Sequence, residues 1–127
     1  MLMNALPILK EILAALEELY KEGKEHTIFI NKLPITDEDR ELLLDVLGRG
    51  QVSITYRSKT QPAEWWETSL YGVWVGVIKD RDGKVILETI EVTYFPKLAA
   101  AQPEDVKESV ERLRARLEEV ERKFNKM

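Results

Sequence analysis

The sequence predicts an α+β domain: three helices and a mostly antiparallel sheet of four or five strands, in the order α-β-α-β-β-β-β-α. Three observations carry that prediction. Apolar residues recur three and four apart near both ends of the chain, which is the spacing of one helical face. Between Gly50 and Pro96 the period changes to two, as in strands with one apolar and one polar face. Asp82-Gly83 sits between two such runs, and that dipeptide marks a tight hairpin, hence antiparallel neighbours. The 127 residues suit one domain, residues 1–127, large enough to bury a core without a covalent staple.

The first helix runs from about Pro7 to Glu22, with Leu9, Ile12, Leu13, Leu16, Leu19 and Tyr20 on one face. Pro7 suits a first turn, where no N–H is needed, and Gly23 suits the residue just past the end. His26 to Lys32 reads as a short strand closed by Leu33-Pro34. Thr36, followed by Glu38 and Asp39, is an N-cap with an acidic first turn. The second helix carries Leu42, Leu43, Val46 and Leu47 and stops at Gly48.

From Gly50, Val52, Ile54 and Tyr56 alternate with Ser53, Thr55 and Arg57. A polar loop, Ser58 to Ala63, precedes a short strand over Glu64 to Thr68. Tyr71 to Lys79 and Val85 to Phe95 are the arms of the hairpin, and Pro96 closes it. The last helix opens at Gln102-Pro103 and spans 103–126. Its apolar residues Val106, Val110, Leu113, Leu117, Val120 and Phe124 are spaced four, three, four, three, four. That is a heptad seam.

If Asp82 and Gly83 are the two loop residues, Arg81 pairs with Lys84, Val77 with Glu88, Val75 with Ile90 and Val73 with Val92. Those pairs form the core side. The opposite face then pairs Trp74 with Glu91 and Gly76 with Thr89. Two readings stand for this face: a recognition surface centred on Trp74, or a second core layer beneath a helix. A one-residue slip would exchange the two faces.

Composition narrows the function. Lys+Arg 19 against Asp+Glu 23, net charge -4, does not offer the basic face that phosphates select. There is no cysteine, which excludes disulfides, thiolate metal sites and cysteine nucleophiles and fits a reducing compartment. No apolar run is long enough to span a bilayer, and the first residues lack the basic region of a secretory signal. A cytoplasmic location is expected, with no cofactor and no metal.

The ordered segments resemble a known family. Leu33-Pro34 follows a short strand; then come Leu47-Gly48-Arg49-Gly50-Gln51-Val52, Glu67-Thr68, Gly72-Val73-Trp74, Glu88-Thr89-Ile90-Glu91-Val92 with Pro96, and Gln102-Pro103-Glu104-Asp105-Val106. Together they are similar to the C-terminal conserved region of the HupH hydrogenase expression proteins, also called HyaF. The resemblance implies a non-enzymatic accessory, similar to a chaperone, that holds nickel–iron hydrogenase precursors, the iron–sulfur small subunit in particular. Gln51 departs from the glutamate usual in the family. Ile28-Phe29-Ile30-Asn31-Lys32 lacks the Asp and Arg expected before Leu33-Pro34, and family members are commonly longer.

Catalytic signals are weak. His26, the single histidine, has no nucleophile or orienting acid at recognisable spacing. Glu67, Glu88 and Glu91 could be an acid/base set, but strand parity sends Glu88 and Glu91 to opposite faces, and Glu88 is expected either to snorkel or to pair with Arg or Lys. Gly48-Arg49-Gly50 precedes a strand, so it lacks the helix N-terminus that cradles phosphate. The expected protein-binding residues are Trp74, Glu91, Glu67 and Thr89, with Trp65 or Trp66 and Arg57 at the rim. The seam of the last helix has three readings: packing on its own domain, pairing with a second copy, or docking on a client. The rival function is a structural protein that dimerises through this helix.

Overall fold

The computed structural model describes residues 4–126. The order is α1 (Ala5–Glu22), β1 (His26–Phe29), a 3-10 turn (Ile30–Lys32), α2 (Asp37–Leu47), β2 (Ser53–Tyr56), β3 (Ala63–Glu67), β4 (Val73–Lys79), β5 (Val85–Val92), a second 3-10 turn (Lys97–Ala99) and α3 (Pro103–Asn125). The chain forms two compact units that divide between Pro96 and Lys97.

In the first unit all five strands form one antiparallel sheet in the order β1-β5-β4-β3-β2. Strands β2 to β5 meander, each paired with the next in sequence. Strand β1 adds at the far edge, beside β5, because α2 intervenes between it and β2. The core lies on one sheet face, where Ile28, Val73, Ile90 and Val92 meet Ile8, Ile12, Ala15 and Leu19 of α1 and Leu43 and Leu47 of α2.

The buried stripe of α1 is Ala5, Ile8, Ile12, Ala15 and Leu19, rotated from the expected face. Leu9 and Leu16 lie at its margin, while Leu13 and Tyr20 are exposed. Two alanines explain the shift: small side chains let the helix sit close to the sheet, so the nearest stripe is not the most hydrophobic one. Gly23, in the left-handed region, ends the helix with its N–H on the Leu19 carbonyl at 3.0 Å. At the start of α2 the Thr36 hydroxyl accepts from the Asp39 N–H at 3.1 Å and Asp39 returns the bond to the Thr36 N–H at 3.2 Å.

Strand β1 is shorter than expected, since the chain turns into the 3-10 segment at Ile30 and buries it without continuing the ladder. Strand β2 is the other edge, and Val52 and Tyr56 stay exposed where the alternation predicted half-burial. Away from the turn the hairpin has the predicted register, Val73 opposite Val92, Trp74 opposite Glu91, Val77 opposite Glu88. The turn itself differs. Lys79 faces Val85 across a bulge, the Gly83 N–H bonds the Asp80 carbonyl at 3.0 Å, and Asp80 Oδ1 accepts from the N–H groups of Asp82 and Lys84 at 2.9 Å each. Gly83 is left-handed and Asp82 is not, so a type I′ turn is excluded and a wider turn with a glycine bulge takes its place.

Arg40 grips Glu88 with two guanidinium N–H donors, Nε at 2.8 Å from Oε1 and the second on Oε2. Hydrogen bonding to Glu88 raises the Arg40 pKa further above its ordinary value against the opposing effect of burial. The expected partner of Glu88 is therefore supplied by α2 from the core side.

The second unit consists of the Lys97–Ala99 turn and α3. Pro103 opens α3, Glu104 and Asp105 lie in its first turn, and Arg122 and Lys123 in its last, in the sense the helix dipole favours. No residue of α3 is buried, and its seam is exposed from 50% at Val106 and Val110 to 72% at Phe124.

Candidate functional site

The sheet face away from α1 and α2 carries Trp65, Trp74, Thr89, Glu91 and Thr93. Trp65 is 2% and Trp74 3% exposed, and Thr89 and Thr93 are buried. Each indole N–H has a partner. Trp65 Nε1 donates to Glu91 Oε2 at 2.8 Å, and Trp74 Nε1 to the Thr93 carbonyl at 3.1 Å. Glu91 also accepts the Thr89 hydroxyl at 3.0 Å. Trp65 lies across Gly76, where an added Cβ would fall 2.8 Å from its ring. Phe95 meets Trp74 edge-on, centroids 6.0 Å apart.

These side chains are buried as the second-core reading expects, but α1 and α2 do not cover them, since both helices pack on the opposite face. Trp74, Trp65 and Thr89 are expected above as contact residues; in the structure they are a satisfied, closed layer. The cause is pairing that a single strand does not reveal: Gly76 leaves a slot that Trp65 fills from β3, and Glu91 is turned to the indole. Trp66 lies on the other face, half-buried, with the Arg49 guanidinium 4.7 Å above its ring. Arg57 is exposed next to Tyr56, whose partner Ala63 starts β3, whereas Glu67 ends it. Trp74 and Glu67 are cross-strand partners, but Arg57 lies at the opposite end of the sheet.

At the Glu67 end three loops converge. Gly48, with φ +70°, has its N–H on the Leu44 carbonyl at 2.9 Å and lies against Ser69, whose N–H bonds the Leu47 carbonyl at 3.0 Å. The Gly50 N–H bonds the Glu67 carbonyl at 2.8 Å, and a Cβ at Gly50 would sit 2.5 Å from the Thr68 carbonyl oxygen. Only glycine allows that approach. Leu70-Tyr71-Gly72-Val73 is a turn closed by the Val73 N–H on the Leu70 carbonyl at 3.1 Å, with Gly72 at φ +85°. Gly72 is fixed on both sides: its N–H bonds Glu67 Oε2 at 3.0 Å, and its carbonyl accepts from the Thr93 N–H at 2.9 Å.

This frame presents aromatics to solvent. Tyr71 stands at the tip of the turn, 90% exposed, and Tyr20 and Tyr94 are also exposed. With Leu16, Leu19, Glu67 and Gly72 the three tyrosines line a cleft of about 280 Å³. The Tyr94 hydroxyl donates to the Leu19 carbonyl at 3.3 Å. A neighbouring cleft of about 230 Å³ is lined by Arg49, Gly50, Gln51, Val52, Thr68 and Ser69 and shares Glu67 and Tyr71 with the first. The tyrosines are absent from the expected set. The one sequence signal was the place of Tyr71 beside Gly72; Tyr20 was expected on the apolar face of the first helix and is exposed.

The chemistry here is that of contact. Apolar ring faces, phenol hydroxyls and one carboxylate can bury area and exchange hydrogen bonds. His26 lies elsewhere, exposed, 2.7 Å from Glu11. Among the described residues no group of three His, Asp or Glu side chains is placed to hold a metal ion, and no helix is long and apolar enough to cross a membrane.

An open antiparallel sheet with two helices on one face and a loop-built aromatic cleft at its end makes the first unit an α+β fold. The chain belongs to the family described as HupH hydrogenase expression protein, C-terminal conserved region, whose model matches residues 2–120. It is 34% identical over 115 residues to the hydrogenase expression/formation protein HoxQ of Azotobacter vinelandii, covering 89% of this chain and 40% of that protein. HupH of Rhizobium leguminosarum bv. viciae is 34% identical over 113 residues, 88% of this chain and 39% of the relative. The hydrogenase-1 operon protein HyaF of Escherichia coli K12 is 32% identical over 115 residues, 88% and 38%. The chain thus spans about two fifths of the length of these curated relatives. Against the solved structure of the hydrogenase expression protein HupH from Thiobacillus denitrificans ATCC 25259 the TM-score is 0.84 at 34% identity, covering 91% of this chain and 96% of that one.

Proposed function

We propose that this chain is a non-enzymatic accessory of nickel–iron hydrogenase maturation that holds a hydrogenase subunit or its precursor through the tyrosine-rimmed cleft. Family membership over residues 2–120, with relatives named for hydrogenase expression and formation, supports the maturation role. The observation that carries the binding reading is the pairing of exposed aromatics with a rigid frame. Gly72 has both backbone groups bonded, so Tyr71 is held out without a large ordering cost on association. Tyrosine offers a wide contact area and a hydroxyl for few rotatable bonds.

In this reading Trp74, Trp65, Thr89 and Glu91 support the surface from beneath. Glu67 joins the two layers, since it faces Trp74 across the strands and holds the Gly72 turn. Trp66, with Arg49 stacked on it, and the distant Arg57 lie outside the principal contact. The cleft suits an extended client segment with an apolar side chain for the ring faces and a basic or amide group for Glu67. The iron–sulfur small subunit before assembly is the client that the family resemblance implies.

Pull-down with the purified chain tests the proposal. The purified small-subunit and large-subunit precursors are each offered to it as bait. Retention of one precursor, lost with the mature assembled enzyme, is the expected result. Failure to retain either precursor while the chain is folded would overturn the reading.

A further inference from the structure

We infer that α3 pairs with α3 of a second copy of this chain, as a parallel two-stranded coiled coil. The helix has 23 residues, roughly 35 Å at 1.5 Å per residue. The second unit is this helix and one 3-10 turn, so nothing within that unit covers the seam, whose six residues are at least half exposed. A solvated strip of that length is unusual on a soluble protein unless a partner covers it.

The charges beside the seam choose the partner. With Val110, Leu117 and Phe124 at a and Val106, Leu113 and Val120 at d, the flanking e positions are Lys107, Arg114 and Glu121, and the g positions are Gln102, Ser109, Arg116 and Lys123. Arg114 and Lys123 are engaged within their own helix, by Glu111 at 3.1 Å and Glu119 at 3.7 Å. Arg116 and Glu121 have no ion-pair partner among the described residues.

In a parallel pair each g position faces the e position of the following heptad on the other helix. Arg116 then meets Glu121 of the second copy, and symmetry makes the contact twice. Ser109 faces Arg114 and Gln102 faces Lys107, so no like charges meet. An antiparallel pair with the whole seam overlapped joins Lys107 to Glu121 but sets Arg114 against Arg114 and Arg116 against Arg116. The sequence therefore carries its own complement in the parallel arrangement. A different protein would have to supply a matching acid–base pair.

The test uses the full chain. Light scattering during size exclusion should give twice the 14.7 kDa chain mass, falling toward one chain on dilution. The protein has no cysteine, so Val110→Cys introduces a single thiol. In the parallel pair it faces its own copy and forms an interchain disulfide in air; in the antiparallel pair it faces Val120 and does not. Arg116→Glu should raise the concentration at half-dissociation severalfold, and adding Glu121→Arg should restore it. Leu113→Asp with Leu117→Asp should give a monomer whose tryptophan fluorescence is unchanged, since Trp65, Trp66 and Trp74 all lie in the first unit. A wild-type monomer at every concentration, a dimer that survives the two Asp changes, or a dimer without the Val110→Cys crosslink would each overturn the inference.

Discussion

The two aromatic groups of this domain are only a strand apart, and their roles differ. Trp65 and Trp74 lie in a closed layer with both indole N–H groups bonded, to Glu91 and to the Thr93 carbonyl. Tyr71, Tyr94 and Tyr20 stand in solvent around a cleft whose backbone frame is tied down. The tryptophans are held within the sheet, and the tyrosines are presented from α1 and from the segments that follow β3 and β5. Residue type alone does not separate the roles. What separates them is burial: a neighbour leaves space for the buried ring to lie flat, as Gly76 does for Trp65, whereas Tyr94 stays in solvent although its hydroxyl bonds the Leu19 carbonyl.

That contrast can be broken from the buried side with the largest effect. Trp65→Ala should destabilise the domain by about 3–5 kcal/mol, the usual cost of removing a buried tryptophan, read as a fall in the urea midpoint. A loss below ~1 kcal/mol would mean the ring is not core. Glu91→Ala leaves the Trp65 N–H without its acceptor and should cost about 1–3 kcal/mol, the penalty of an unpaired buried donor. Glu91→Gln keeps an acceptor and should recover part of it. In the loop frame, Gly50→Ala drives a Cβ against the Thr68 carbonyl and should cost about 1–3 kcal/mol by overpacking. Smallest of all, Tyr71→Ala should change stability by no more than ~0.5 kcal/mol, as expected for an exposed site.

Much of the fold was legible because local signals agree there. The α2 cap at Thr36, the Val73–Val92 register and the direction of Glu88 all follow from patterning and parity, and the structure repeats them. The buried face of α1 is less legible because Ala5 and Ala15, which belong to it, carry little hydrophobic signal. The turn at Asp80 was misjudged because a carboxylate that caps two N–H groups stabilises a wider loop than Asp82-Gly83 suggests.

The site was legible in part. Gly72 and Glu67 were visible as neighbours of a motif, but their hydrogen bond joins residues five apart across a turn, and no periodicity encodes it. The burial of Trp74 depends on Phe95 and on strand neighbours contributed by distant segments. Arg57 reads as a rim residue until β2 and β3 pair and send it to the far end.

In the proposed function the exposed tyrosines, not the buried tryptophans, make the contact. The direct measurement is the affinity for the hydrogenase precursor retained by the wild-type chain, compared with the Tyr71→Ala, Tyr94→Ala double variant. Circular dichroism and a melting curve establish that the variant is folded. Hot-spot tyrosines cost about 2 kcal/mol or more when truncated, so binding should weaken at least ~30-fold at the 1.4 kcal/mol per decade of affinity with the melting curve unchanged. Unaltered affinity in the folded double variant would contradict the account.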